Sequence, residues 1–517
     1  MASTTFHNPI IPGFNPDPTV AVVRTPESTT YFLSTSTFEF YPGCAIYSST
    51  DLINWTLIGH ALTRRSQIDL RTVEPGAGSW ASTLRYRPND GVDGKGRFYL
   101  ANGVFQRYRP STDERVFPRG FYVYTDNIWN SDAWSDPIYF DNPGFDQDLF
   151  WDDGTGKVYL STTVRLANRN PSLKLKDFAI HISEIDISTG RTLTPPVVIR
   201  ESPHGISEGS HIFKKGKYYY LITAEGGTDA GHQEWAFRST TGPYGPWESQ
   251  GKPLWYNGPG EEVQRTGHAD IFEDGEGQGW GVFLSTRPVK VEGPGFLEPQ
   301  LGRETYLVKV DWVDDWPVFN DGKNITLETQ GRKPVTQWSG QMQKGEVKWK
   351  AALEEQELEL GWYQKHTPVK QFYTLRERQA CLRLYGNCYD LSSPESPAML
   401  LRKQTSVEEC FSVELEFDPR HPGYEAGVTV WWSQYSYSTI GITLVELPGG
   451  EKARTILALL SGDVEEEFSF LTKDLTVPPP VGGVFCGVLF GIYAFGKGEP
   501  VLNPADFSNI YIKDGGF

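Results

Sequence analysis

Through the first 320 residues, apolar positions fall in short alternating runs broken by Gly- and Asp-rich turns, and one arrangement recurs five times. Its clearest copy is GFDQDLFWDDGTGKVYLSTT, beginning at Gly144. Asp146 leads into an apolar strand, a turn spans Asp152 to Gly156, and an aromatic strand, Val158-Tyr159-Leu160, ends in small hydroxyl residues. Asp17 leads into TVAVV and then YFLST, and Trp80 into STLRY and then FYL. Glu208 leads into SHIF and YYY, and His268 into ADIF and FLST. Alternation of this kind predicts half-buried strands, and the turn chemistry predicts hairpins.

The five leading residues are separated by 63, 66, 62 and 60 positions. A nearly constant period marks a repeat architecture in which each unit needs its neighbours to bury its apolar face. Two hairpins per period, repeated radially, predict a five-bladed β-propeller. Equivalent positions in successive blades then converge near the axis, so Asp17, Trp80, Asp146, Glu208 and His268 are expected at one mouth of the central channel. Trp55, Trp134 and Trp247 are expected to pack between blades, since large aromatics dominate burial where repeats stack.

The pattern predicts a propeller over residues 1–323, a polar linker over 324–346 and a second domain over 347–517. In the last, CLRLYG, FSVELEF, AGVTVWW, ARTILALL and GVFCGVLFGIYAF read as short strands of a β-sandwich. AALEEQELEL, from Ala351, reads either as a helix or as the start of a strand.

Composition narrows the function. A formal net charge of −17 disfavours nucleic acid and anionic membranes as partners, both of which require clustered Lys and Arg. Five cysteines without paired spacing disfavour a zinc site and a disulfide scaffold, leaving room for one bridge in the C-terminal half. No apolar run reaches membrane-spanning length. The start, MASTTFHNP, carries no secretion signal as written, which points to the cytoplasm; a secreted enzyme with its leader removed is the alternative.

Two carboxylates facing across a pocket are what glycosidic cleavage requires. Asp17, braced between Pro16 and Pro18, suits a base that positions water, and the longer Glu208 suits the acid. Asp146 supplies a third negative charge that raises the pKa of a neighbouring acid. Trp80 offers a flat face to a sugar ring, and Phe38 lies near the same rim. His268 is expected to orient Asp146, with an ion such as Ca2+ near the axis as the second reading. Arg303 would pair with a carboxylate or donate to a substrate hydroxyl.

At these residues the chain resembles glycoside hydrolase family 43, which contains β-xylosidases, α-L-arabinofuranosidases and arabinanases. NPIIPGFNPDP, STFEFYPG, the DLINW turn, WASTLRY, GFDQDLFWDDGTGKVYL, SEGSHIFKKGKYYYLITAEGGT, TGHADIF and LGRET carry the likeness in register over roughly the whole chain. It implies inverting hydrolysis with Asp17 as general base, Glu208 as general acid and Asp146 as the aspartate tuning that acid. It also implies that an aromatic from the sandwich closes the pocket, here Phe485 in VFCGVLFG, and that a metal can sit on the histidine matching His268, although the reaction requires no cofactor. The chain departs from the family pattern at Asp146-Gln147-Asp148 and at Glu208-Gly209-Ser210-His211, which leaves sugar preference open. The expected activity is release of terminal xylose or arabinofuranose from xylan-type oligosaccharides. A retaining fructosidase and a non-catalytic carbohydrate-binding propeller are the alternatives.

Overall fold

The computed structural model describes residues 4–106, 119–166, 178–291, 295–331, 336–337, 345–459 and 485–515. Five antiparallel sheets follow one another along the chain as propeller blades. Blade one runs Thr19–Arg24, Thr29–Thr35, Gly43–Ser49 and Thr56–Leu62, in that order from the inside outward. Blade two is built on Thr83–Arg87, Arg97–Phe105, Arg119–Thr125 and Ile138–Tyr139, with the short Gly78–Ser79 added beside its second strand. Blades three, four and five start at Phe145–Asp152, Ser207–Lys215 and Gln264–Glu273, each followed by three further antiparallel strands.

Apolar clusters lie between neighbouring blades, which is why no blade is stable alone. Phe32, Ile46, Leu84, Phe98, Phe121 and Trp134 join blades one and two. Phe150, Tyr159, Ile212, Leu221 and Phe237 join three and four, with Trp247 against them. Blades five and one share Val20, Leu33, Phe272, Val282 and Leu307, covered by Trp55. All three tryptophans therefore pack as the periodicity predicts.

Blade five supplies all four of its own strands, so the ring is sealed by the N-terminal segment laid along it. Asn8 exchanges two 2.9 Å hydrogen bonds with the backbone of Leu307, donating from Nδ2 to its carbonyl and accepting its N–H on Oδ1. Thr5–His7 pairs with Glu328–Gln330. The stretch predicted as linker thus contributes a strand to ring closure; the rest of that prediction falls partly on 332–335 and 338–344, outside the described residues.

The C-terminal part is a two-sheet sandwich. One sheet orders Val347–Lys350, Ala505–Asp514, Leu382–Leu384 and Tyr373–Thr374, with Glu409–Glu416 also on the long second strand. The other orders Ala398–Lys403, Leu489–Gly496, Tyr424–Ser433, Ser436–Glu446 and Lys452–Leu459. Residues 351–360 form turns, neither helix nor strand: Ala351 and Leu353 bury against the sandwich core while Glu354, Glu355 and Glu357, which follow them, face water. All five cysteines are free thiols, so the bridge left open by the sequence does not form.

Propeller and sandwich share one apolar cluster, in which Phe14, Phe38 and Phe40 meet Tyr363, Leu401, Trp431, Trp432, Cys486 and Val488. Backbone pairing crosses the junction at Phe40–Tyr41 with Gln364–Lys365. A buried carboxyl ties it further: Glu39 Oε2 accepts from the Cys486 thiol at 3.1 Å and the Gly76 N–H at 3.1 Å. Burial raises the Glu39 pKa to about 7.

Candidate active site

The innermost strands of blades three, four and five each slip register where they enter the channel. The breaks fall between Phe145 and Asp148, between Glu208 and His211, and between Gly267 and Asp270. A β-bulge of this kind takes residues out of the ladder and re-aims their side chains. Asp146, Gly209 and His268 occupy these bulges at φ 53°, 57° and 55°, and Asp17 enters blade one at φ 54°. Left-handed backbone costs an ordinary L-residue roughly 1–2 kcal/mol. Three non-glycine residues held this way at one mouth are the kind of stored strain that clusters at functional sites.

The bulges also correct the repeat alignment. In blade four the residue equivalent to Asp146 and His268 is Gly209, with Glu208 one position earlier. A side chain at position 209 would strike the neighbouring blade, since a Cβ there lies 2.9 Å from the His268 ring. The carboxyl instead comes from Glu208, on the ladder opposite Ala224. Trp80 likewise precedes the strand of blade two, where its N–H bonds the Gly103 carbonyl at 3.1 Å.

Asp17 is 4% exposed and fully partnered. Oδ2 accepts from Ser36 Oγ at 2.6 Å, and Oδ1 faces Arg303 Nη1 at 3.3 Å and His268 Nδ1 at 3.5 Å. His268 therefore attends Asp17, and the expected pairing with Asp146 is not what the structure shows. The reason is bulge geometry: Asp146 turns toward blade four and accepts the Gly209 N–H on Oδ2 at 2.9 Å. Burial lowers the His268 pKa to about 4 against the opposing pull of Asp17, so its ring is neutral near pH 7.

The three acids sense one another. Burial raises Glu208 to about 7, with the Asp17 charge adding to the rise and Arg303 opposing it. Burial also lifts Asp146 well above the ordinary carboxylate range, reinforced by Glu208 and then Asp17. Carboxyls that cannot all ionise together are the electrostatic signature of acid–base work.

An aromatic wall stands beside them. Phe38, Trp80 and Phe485 form a triangle with ring centroids 6.0–6.3 Å apart. Phe105 stacks on Trp80 at 4.5 Å, and Phe145 meets it edge-on at 5.2 Å. Arg303 connects wall and acids: its guanidinium lies 5.1 Å from the Phe38 ring and 5.6 Å from that of Phe485, and Nη1 also donates to Thr228 Oγ1 at 3.1 Å. Nε and Nη2 each reach the Phe485 carbonyl at 3.4 Å, so one side chain joins the propeller floor to the sandwich. All eight residues singled out in the sequence thus gather in one region. A separate depression of about 500 Å3 on the sandwich, lined by Gln356, Glu357, Tyr373 and Arg376 among others, contains none of them.

Spacing did not single out Ser36, Thr228 or the layer beneath the acids. Two residues along each inner strand from Asp17, Asp146, Gly209 and His268 stand Thr19, Asp148, His211 and Asp270, on the same face because side chains alternate. Arg85 of blade two lies among them: Nη1 is 2.9 Å from Asp270 Oδ2, and Nη2 is 2.8 Å from Asp148 Oδ1 and 3.0 Å from His211 Nδ1. Burial works against both charges, yet Arg85 holds Asp270 below its usual range. Among the described residues no group of three or more His, Cys, Asp or Glu could hold a metal ion. The nearest candidates already serve two arginines, so the surroundings of His268 do not fit a bound cation.

Comparison with known proteins agrees with this architecture. The model for "Glycosyl hydrolases family 43" matches residues 6–317, and that for the "Beta xylosidase C-terminal Concanavalin A-like domain" matches 352–477. A non-reducing end alpha-L-arabinofuranosidase of Bacteroides ovatus is 31% identical, covering 98% of this chain and 94% of its own. A xylan 1,3-beta-xylosidase of a Vibrio species is 32% identical over 90% of this chain and 84% of its own. The crystal structure of a xylan beta-1,4-xylosidase from Bacillus halodurans superposes with a TM-score of 0.80 at 26% identity, covering 98% of this chain and 100% of that one. Propeller, sandwich and matched models together make this chain an enzyme of glycoside hydrolase family 43.

Proposed function

We propose that the enzyme removes a terminal pentose, xylose or arabinofuranose, from xylan-type oligosaccharides with inversion at the anomeric carbon. The observation that carries this is the trio of mutually repelling carboxyls around Arg303, beside an aromatic triangle completed by the sandwich. A wall contributed by a second domain makes a pocket that admits a chain end or a side group.

In this scheme Asp17 is the general base. Ser36 and Arg303 hold its carboxylate in a fixed orientation, and His268, neutral near pH 7, flanks the same oxygen as Arg303. Glu208 is the general acid: with a pKa near 7 it still carries a proton when substrate binds and gives it to the departing oxygen. Asp146 is the tuning aspartate: it and Glu208 repel each other when both are ionised, and it is oriented by the Gly209 N–H. Phe38, Trp80 and Phe485 receive the C–H face of the sugar, and Arg303 is close enough to donate to a ring hydroxyl. No step requires a cofactor.

The test is proton NMR of the first product formed from an aryl β-xyloside and from an aryl α-L-arabinofuranoside. Release of the inverted anomer from either substrate is expected. The retained anomer would assign a covalent intermediate, and absence of cleavage of both would remove the substrate class.

A further inference from the structure

The layer beneath the catalytic acids is one polar network touching all five blades, and Arg85 is its centre. Asp270 of blade five accepts the Thr19 hydroxyl at 2.8 Å and the Val20 N–H at 3.1 Å from blade one. Asp148 of blade three accepts the Ile212 N–H of blade four at 2.9 Å. Thr19 Oγ1 in turn receives the Leu84 N–H of blade two at 3.2 Å. Arg85 bridges the two aspartates and reaches His211, whose Nδ1 must be the acceptor because a guanidinium only donates. Each partner lies two residues from a left-handed position at the mouth, so a shift in this layer is transmitted along one strand to Asp17, Asp146, Gly209 or His268.

We propose that Arg85 is a positioning residue, a covalently tethered axial cation that sets the five inner strands and thereby the catalytic acids, in place of a bound metal ion. Three features support it. Asp148 and Asp270 are buried acids from opposite sides of the ring that would repel without a cation between them. The guanidinium is planar and forked, so it can hold both at once. His211, whose ring centroid is 6.2 Å from that of His268, brings the network against the histidine that flanks the base. The inference rests on the activity proposed above, but its test does not depend on that activity alone.

Wild type, Arg85→Ala and Arg85→Lys would be compared for thermal midpoint with EDTA and with Ca2+, and for kcat, KM and pH profile on the aryl glycosides. EDTA and Ca2+ are expected to leave the wild-type midpoint unchanged. Ca2+ should raise the midpoint of Arg85→Ala, whose two aspartates would face an open axis. In that variant kcat should fall about 100-fold through misplacement of the acids, with KM changed much less, and the pH profile should shift because the distances between the acids help to set the pKa of Glu208. If Arg85→Ala does not fold, Arg85→Lys keeps the charge without the fork and should lose about tenfold in kcat. A wild-type midpoint that falls in EDTA would overturn the proposal. So would an Arg85→Ala midpoint indifferent to Ca2+, or a folded variant with wild-type kcat and pH profile. A wild type inactive on both glycosides would sink the activity assignment and leave the midpoint measurements to decide the role of Arg85.

Discussion

Glu208 and Asp17 differ in what surrounds them, and that difference separates their roles experimentally. Asp17 is locked by a serine, an arginine and a histidine. Glu208 is held near pKa 7 by burial and a neighbouring negative charge. Glu208→Gln should lower kcat by about 10²–10⁴ on unactivated xylo-oligosaccharides, and far less on aryl glycosides whose leaving group needs little protonation. Asp17→Asn should cost the same on both, because water activation is indifferent to the leaving group; equal losses for the two variants on both substrates would reverse or dissolve the assignment. The pH dependence has a definite sign. A carboxyl raised from 4.5 to about 7 in the folded state favours folding fully below 4.5, and that contribution is lost as pH rises through 7. Activity should decline over the same interval as the acid loses its proton. Glu208→Gln should therefore melt higher than wild type at pH 8 and close to it at pH 4, which paired thermal scans would check.

At the scale of the strand, the bulge is the device that builds the site. A regular strand would send successive side chains to opposite faces, whereas the bulges at Asp146, Gly209 and His268 turn an extra residue toward the mouth. Gly209 is needed twice over, for its φ of 57° and because a Cβ would sit 2.9 Å from the His268 ring. Gly209→Ala is expected to destabilise by more than about 1 kcal/mol and to reduce kcat about tenfold or more, measured by thermal melting and initial rates. The period of the sequence located these strands but placed Glu208 and Trp80 one residue out of phase, because a constant spacing carries no mark of where a bulge inserts. Residues 351–360 were ambiguous for a related reason: their alternating acids fit a helix or a strand in isolation, and only burial of Ala351 and Leu353 against the sandwich selects turns.

For the molecule as a whole, the sandwich is part of the site. Phe485 completes the aromatic triangle, its carbonyl takes two nitrogens of Arg303, and its neighbour Cys486 bonds Glu39 beside Phe38. Phe14, Phe38 and Phe40 are buried against sandwich residues rather than within a blade cluster. A chain ending at residue 331 would expose that surface and release Arg303 from one partner. It should aggregate or elute as higher oligomers in size-exclusion chromatography and show no hydrolysis of either aryl glycoside. A monodisperse, active propeller would refute the cooperation between the two parts.

Blade number, the two hairpins within each blade, the sandwich that follows and the three carboxyls that meet at the channel mouth were all legible in the sequence itself. These depend on alternation, turn residues and period, which act over tens of residues and leave a direct trace in the chain. Tertiary structure decided that His268 serves Asp17, that Arg85 gathers Asp148, Asp270 and His211, and that Phe485 meets Phe38 and Trp80. Those partners are separated by up to several hundred residues, and they meet only because the ring closes and the sandwich packs on its rim. A local pattern sets which face of a strand a residue occupies; the closing of the ring sets which charge stands opposite it.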